Sequence, residues 1–156
     1  MLEKISKSTE LKPWRGNIPI YHRYTLGIAG ERFFKALRDH KQILASACPN
    51  CRQRFIPPKI YCEACFEETR DWSPVEGPGY IKTFTVLHQS LEEEPLERPV
   101  VVALIAWSGV RGGLLHRLGE VDPSEVKTGL EVEPQWAEVR TGSMDDIQFF
   151  RPPLNS

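Results

Sequence analysis

Hydrophobic and polar positions in the second half of the chain follow the period of two that is typical of β-strands. Every second residue is apolar between positions 130 and 136, whereas Val100–Trp107 is a continuous apolar run of strand length. The apolar face continues at Ala137 and Val139, one position out of phase, which predicts a β-bulge. We expect strands at residues 80–89, 100–107, 112–118, 130–139 and 147–150.

A helical turn is expected between the third and fourth of these strands. Asp122 is a suitable N-cap residue, and Pro123 suits the first helical position. Five strands with a helical turn at this place follow the order of an OB-type barrel. Another small β-barrel and a β-sandwich are alternatives, although the strand count is low for a sandwich.

The first half of the chain predicts one short helix, at Glu31–His40, with Phe33, Phe34 and Leu37 on one side. Core packing is the default role for the two phenylalanines, and contact with a partner is the second. The segment before the helix is irregular, and Trp14 and Tyr21 are among its apolar anchors. These anchors either pack on the chain's own body or reach another subunit. The residues expected at a partner interface are Trp14, Tyr21, Phe33 and Phe34.

The four cysteines form two CxxC pairs separated by ten residues. Two tight turns that each supply two thiolates can build the tetrahedral sulfur site that Zn²⁺ prefers. Disulfides are disfavoured, because the chain is not a small secreted scaffold and its cysteines are confined to one segment. Protein fills all four coordination positions, so the metal is expected to be structural. The predicted ligands are Cys48, Cys51, Cys62 and Cys65.

Iron is the alternative metal, and it would make the chain a rubredoxin-like electron carrier. Sulfur ligands alone do not exclude iron. Arg52 follows Cys51 and Phe66 follows Cys65, at positions where glycine would give a more relaxed turn. These two residues favour structural zinc over an iron electron carrier.

The apolar residues around the cysteines predict a β-ribbon folded about the metal, and a Pro/Gly-rich junction that includes Gly77-Pro78-Gly79 follows it. The chain has 156 residues, enough for a metal module and a compact domain. The fold class is therefore mainly β, with a short N-terminal helix, a four-cysteine ribbon and a five-stranded OB barrel. We place the N-terminal segment and helix at 1–42, the ribbon at 43–73 and the barrel at 74–156.

The net charge of −1 conceals an asymmetry between the two halves of the chain. Residues 1–60 carry 12 Lys and Arg against 4 Asp and Glu, whereas residues 61–156 carry 8 against 17. The basic charge either compensates a tetrathiolate metal site or attracts an anionic partner. Because the expected barrel lies in the acidic half, nucleic-acid binding is only a secondary hypothesis, although OB folds and zinc ribbons commonly serve it.

No stretch approaches the length of a membrane span, and the N-terminus lacks the apolar region of a secretory signal. A cytoplasmic protein is therefore expected. His88 and His116 are the best candidates for general acid–base chemistry, but neither falls in a recognisable catalytic constellation. His116 lies in an apolar alternation, which favours a hydrogen-bonded core or edge histidine. Gly109–Gly113 is interpreted as a hairpin turn, and catalysis by this chain alone is not expected.

Several motifs follow one another in a specific order along the chain. They are Phe33-Phe34-Lys35-Ala36-Leu37, the two CxxC pairs with Pro57-Pro58 between them, Gly77 and Gly79 before Thr83-Phe84-Thr85-Val86, and Asp122-Pro123 before Gly129-Leu130-Glu131-Val132. This order resembles the DUF35 family of OB-fold proteins with a rubredoxin-like zinc ribbon. The resemblance covers residues 21–151 and implies a non-catalytic accessory subunit that works on acyl-CoA substrates with a thiolase-fold partner, which carries the nucleophile. It does not indicate which residues contact CoA.

Overall fold

The computed structural model describes residues 24–90, 92 and 94–154. Trp14 and Tyr21, two of the predicted partner contacts, lie outside the described residues. The described residues form one α-helix, nine strands and two 3₁₀ turns, at Pro123–Glu125 and Met144–Asp146. In chain order these are α1 Gly27–His40, β1 Leu44–Ala47, β2 Arg54–Ile56, β3 Asp71–Pro74, β4 Gly79–Gln89, β5 Pro95–Ala106, β6 Val110–Gly112, β7 Leu114–Arg117, β8 Glu131–Trp136 and β9 Ile147–Arg151.

Helix α1 begins four residues earlier than the apolar pattern predicts, at Gly27. It buries Phe33, Ala36 and Leu37, which lie on one face because of their spacing of three and four residues. The helix ends at His40 and is capped by Lys41, which has a left-handed backbone. The N–H groups of Lys41 and Gln42 donate to the carbonyls of Leu37 and Ala36. The predicted helix is therefore confirmed, and its apolar face packs into the core.

The ribbon forms a four-stranded sheet in the order β3-β1-β2-β6. β1 pairs antiparallel with both β2 and β3. The fourth strand, β6, comes from the segment interpreted as a hairpin turn and pairs parallel with β2, with Phe55 opposite Arg111. β5 and β7 form the expected hairpin. The connection between them contains β6, which also extends the ribbon sheet by pairing with β2. This pairing joins segments that are distant along the chain, so local turn signals do not predict it.

The barrel sheet has the order β7-β5-β4-β8-β9. A parallel bridge between Leu118 and Phe150 joins the region after β7 to β9. The 3₁₀ turn at Pro123–Glu125 lies between the third and fourth strands of this sheet, and the Asp122 carboxylate accepts the N–H of Ser124, as the capping pattern predicts. The register of β8 against β9 skips Gln148, because Gln135 lies opposite Phe149 and Trp136 lies opposite Ile147. The irregularity is therefore on β9. β8 ends at Trp136 and Val139 is 82% exposed, so the predicted continuation of this strand to residue 139, with a bulge in it, is wrong. The mainly β fold class is confirmed.

One hydrophobic core joins the helix, the ribbon and the barrel. Leu37 of α1, Ile56 of β2 and Ile105 of β5 belong to the same buried cluster. β3 spans the position at which the ribbon and barrel were divided, so the boundaries at 42/43 and 73/74 stay predictions. A continuous core favours a fixed arrangement of the two sheets, because separating them would expose apolar surface to water.

A loop between β8 and β9 ties the barrel to the helix. Arg140 donates from Nε to the carbonyl of Arg38 in the last turn of α1, at 2.8 Å, and from Nη1 to the carbonyl of Ala137, at 3.0 Å. The buried carboxylate of Asp146 accepts the backbone N–H groups of Thr141 and Gly142 at 2.7 and 2.9 Å. These bonds hold the loop against the end of the helix.

Among the described residues, no helix is both long enough and apolar enough to cross a membrane.

Candidate metal centre

The four predicted ligands converge at one end of the ribbon. Their sulfur atoms all lie within 4.8 Å of one another, although the two CxxC pairs are separated along the chain. Cys48 and Cys62 are buried, Cys65 is half-buried and Cys51 is exposed. The cysteines are therefore positioned to bind a metal ion, with one side of the site close to solvent.

Two turns with the same backbone geometry present the thiols, and we call them the first knuckle (residues 48–53) and the second knuckle (residues 62–67). In the first knuckle, the N–H of Arg52 donates to the carbonyl of Cys48, and the N–H of Cys48 donates to the carbonyl of Gln53, both at 2.9 Å. The second knuckle repeats the pattern. The N–H of Phe66 donates to the backbone carbonyl of Cys62 at 3.0 Å, and the N–H of Cys62 donates to the backbone carbonyl of Glu67 at 2.9 Å. Each CxxC pair is thereby closed into a turn that presents both sulfurs on the same side.

Both knuckles pass through the left-handed region of the backbone. The residue after the second cysteine of each pair has a positive φ, 59° at Arg52 and 58° at Phe66. Side chains with a Cβ are strained there by about 1 to 2 kcal/mol, whereas glycine is not. The sequence signal noted at these two positions therefore corresponds to real local strain in the turn.

Hydrogen bonds and burial shift the pKa values of two of the thiols in opposite directions. A hydrogen bond with the Cys51 thiol, together with burial, raises the pKa of Cys65 to about 12. Burial also opposes ionisation of Cys62, but the backbone N–H groups of Cys65 and Ala64 lower its pKa to about 7. The N–H groups of the second knuckle thus favour the thiolate form of Cys62, which is the form that binds metal.

The donor set matches a tetrahedral thiolate site. Four sulfurs converge, the N–H groups of Ala64 and Cys65 stabilise one of them as a thiolate, and the buried ring of Phe55 packs against the cysteines. Lys59 Nζ lies 5.6 Å from the centre of that ring, which places a cation beside the site. Zn²⁺ with four thiolates carries a formal charge of −2, so an adjacent cation is favourable. These residues fit a structural metal.

Several basic side chains of the first knuckle region already have partners inside the protein. Arg54 donates from Nη2 to the hydroxyl of Ser73 and the carbonyl of Pro74, both at 3.0 Å, and thereby links β2 to β3. Arg111 Nη1 donates to the side-chain carbonyl of Gln53 at 3.3 Å. Lys59 forms an ion pair with Glu63. These three basic side chains therefore contact other groups of the protein, and compensation of the metal site's charge by the basic half of the chain stays a prediction.

The other residues considered for chemistry lie apart from the cysteines. The ring of His116 packs edge-on against Phe150 with the ring centres 5.6 Å apart, and its nitrogens lie 3.3 and 3.4 Å from the carbonyls of Arg117 and Met144. It is a half-buried edge histidine, as its apolar alternation predicts. His88 is exposed near the end of β4.

The two phenylalanines of α1 have different environments. Phe33 is 3% exposed and belongs to the core, whereas Phe34 is half-buried at its edge. Their rings meet edge-on, with centres 5.4 Å apart. Their role in binding a partner stays a prediction, and Phe34 is the one of the pair with surface available for it.

Two exposed aromatic side chains, Tyr61 next to the second knuckle and Phe66 within it, are not indicated as binding residues by the sequence pattern. The available signal was the presence of Phe66 at a position that favours glycine. The exposure of these two side chains cannot be predicted from alternating apolar and polar residues, because the knuckle is neither a helix nor a strand.

Comparisons with known proteins place this geometry among related chains. The family described as "ChsH2, C-terminal OB-fold domain" matches residues 72–137. A "DUF35 domain-containing scaffold protein" from Methanocaldococcus jannaschii is 21% identical over 74% of this chain and 82% of its own length. A protein of the same description from Pyrococcus furiosus is 25% identical over 80% of this chain and 93% of its own length.

Solved structures show the same fold. A DUF35-family protein of unknown function from Sulfolobus solfataricus superposes with a TM-score of 0.65 at 28% identity, covering 80% of this chain and 84% of the other. A chain of the "Ltp2-ChsH2(DUF35) aldolase" superposes with a TM-score of 0.61 at 22% identity, covering 83% and 98%, and this likeness concerns the fold alone. The resemblance to the DUF35 family is thus confirmed, and the OB-fold domain at residues 72–137 is the part of the chain that a family model matches.

Proposed function

We propose that this chain is a non-catalytic scaffold subunit of an enzyme complex that acts on acyl-CoA substrates. The observation that carries the proposal is the extent of its similarity to two DUF35 scaffold proteins, which spans 82% and 93% of their lengths. Similarity over most of a scaffold protein supports the same role better than a match to one shared module would.

The expected partner is a thiolase-fold protein that carries the nucleophile. The DUF35 resemblance supports this partner, and the name of one structural neighbour joins a DUF35 chain to Ltp2 in an aldolase. In such a complex the residues of this chain would hold and orient the partner and complete its CoA-binding region. A cytoplasmic location belongs to the same proposal.

The architecture suits a scaffold because the helix, the ribbon and the barrel are held in a fixed relative position. The core is shared, β6 of the barrel segment pairs with β2 of the ribbon, and Arg140 bonds to the end of α1. A rigid subunit loses little conformational entropy on binding, which favours stable assembly.

Zinc is the proposed metal, bound by Cys48, Cys51, Cys62 and Cys65. When bound it would cross-link the two knuckles, whose own buried cluster is small and is separate from the shared core. The role of the chain's own residues is to present the thiols, supply N–H groups to sulfur and exclude water on the Phe55 side.

The test is co-purification from the native cells with a tagged chain, followed by identification of the bound protein and titration of the purified complex with acetyl-CoA. We expect a thiolase-fold protein in near-equal amount and acyl-CoA binding by the complex rather than by this chain alone. Recovery of the chain alone, or with nucleic acid, would contradict the proposal.

A further inference from the structure

The second knuckle and its flanks expose two aromatic side chains on a closely held turn. Phe66 is 81% exposed and Tyr61 is 62% exposed. The flanks of the turn are closed by the Thr69 N–H, which donates to the Ile60 carbonyl at 2.7 Å, and by an antiparallel bridge between Tyr61 and Glu68. The aromatic rings are therefore presented to solvent from a fixed backbone, close to the proposed metal.

The position of Phe66 is unfavourable for folding. Its φ of 58° is one that glycine adopts freely and that strains a residue with a Cβ. Its side chain recovers little of that free energy within the chain, because most of its surface remains in water. The turn imposes the same backbone conformation on Arg52, so the feature that distinguishes position 66 is a large apolar side chain left in water.

Exposed carboxylates follow Phe66 along the chain. Residues 61–69 include three glutamates and neither lysine nor arginine, and Arg70 comes next. Glu67 and Glu68 are exposed, whereas Glu63 forms an ion pair with Lys59. An apolar partner surface with Lys or Arg at its rim would complement this arrangement. We call Tyr61, Phe66, Glu63, Glu67 and Glu68 the knuckle patch.

We propose that the knuckle patch binds the partner protein, with Phe66 inserted into an apolar pocket whose rim is basic. This inference rests on the proposed scaffold function, since it requires a partner protein. Exposed aromatic residues on a rigid element are typical of interface positions that dominate affinity, because they bury much apolar surface at little entropic cost. The carboxylates would contribute orientation and association rate.

The first knuckle offers a matched control, because Arg52 occupies the equivalent position with the same backbone conformation. Phe66→Gly and Arg52→Gly each relieve the strain, so both variants should keep or gain thermal stability. Only Phe66→Gly should weaken binding, by about 10-fold or more. Phe66→Tyr keeps an aromatic ring and should remain within about 3-fold of wild type.

The measurement is calorimetric titration of each purified variant into the protein that co-purifies with the tagged wild-type chain. A second readout is salt dependence: affinity of the wild type should fall as NaCl is raised, and the Glu67→Gln/Glu68→Gln variant should show a smaller decrease. If Phe66→Gly loses partner binding but keeps its thermal stability, Phe66 contacts the partner directly and is not needed to hold the fold.

Four results would overturn the inference. Wild-type affinity in Phe66→Gly would exclude the knuckle patch while leaving the scaffold function intact, and an equal loss in Arg52→Gly would indicate a general effect of the turn. A wild-type chain that retains no partner would contradict both proposals. Self-association in sedimentation that disappears in Phe66→Gly would show that a second copy, rather than a different protein, occupies the patch.

Discussion

Gly112 lies directly against Ile56. The backbone N–H of the next residue, Gly113, donates to the Ile56 carbonyl at 3.0 Å. A Cβ atom at position 112 would collide with the same carbonyl oxygen. The contact joins β6 to β2, so a strand next to the barrel extends the ribbon sheet. The absence of a side chain at Gly112 therefore permits the backbones of β6 and β2 to approach each other closely at this position.

Gly112→Ala is expected to destabilise the protein. The new Cβ must displace the Ile56 backbone, and φ at this position is +94°, so we expect a loss of about 2 kcal/mol or more. Urea unfolding measures the effect. Gly109→Ala is the matched control, since its φ is +70° but nothing lies within 4 Å of an added Cβ. Equal losses in the two variants would show that the contact with Ile56 is not restrictive.

Asp146→Ala should also lower the free energy of unfolding. The buried carboxylate accepts two backbone N–H groups, and its removal would leave both donors without this partner, at a cost of about 2 to 4 kcal/mol. Asp145→Ala removes an exposed carboxylate next to it and should change stability by less than about 0.5 kcal/mol. Thermal unfolding of both variants provides the comparison, and similar melting temperatures would count against this role for Asp146.

Phe33 and Phe34 should respond differently to truncation. Phe33→Ala removes a core side chain and should cost about 3 to 5 kcal/mol of stability. Phe34→Ala should affect stability less and weaken partner binding more, because part of the Phe34 ring remains at the surface. Chemical unfolding and calorimetric binding measure the two effects separately. An unchanged affinity in Phe34→Ala would remove α1 from the proposed interface.

Metal removal should disorder the ribbon before the barrel. A strong chelator, or the variant Cys62→Ser, takes away the cross-link between the knuckles, so amide protons of β1 and β2 should exchange faster while those of β4 and β5 stay protected. Hydrogen exchange detected by mass spectrometry resolves these segments. Unchanged protection of the ribbon in Cys62→Ser would contradict a structural role for the metal.

Local patterns predicted most of the elements because their causes are local. Alternation identified the barrel strands, and the Asp122-Pro123 pair identified a 3₁₀ turn. The phase slip after Trp136 instead marks the end of β8, not a bulge within it. Cysteine spacing indicated the cluster for the same reason, since each CxxC pair closes its own turn.

Relationships between distant segments could not be predicted in this way. The parallel pairing of β2 with β6 depends on how the barrel packs, and β6 is only three residues long. The exposure of Phe66 depends likewise on the knuckle's position outside both sheets. Whether an apolar residue in a loop such as Phe66 is buried depends on which other segments of the fold pack over it.

Native mass spectrometry of the complex isolated through the tagged chain tests the central claim most directly. The account predicts a hetero-oligomer with one colourless divalent metal, zinc, per copy of this chain, and loss of the partner with loss of the metal in Cys62→Ser. A metal-free chain within an intact complex, a site filled by iron, or a chain that remains alone would contradict it.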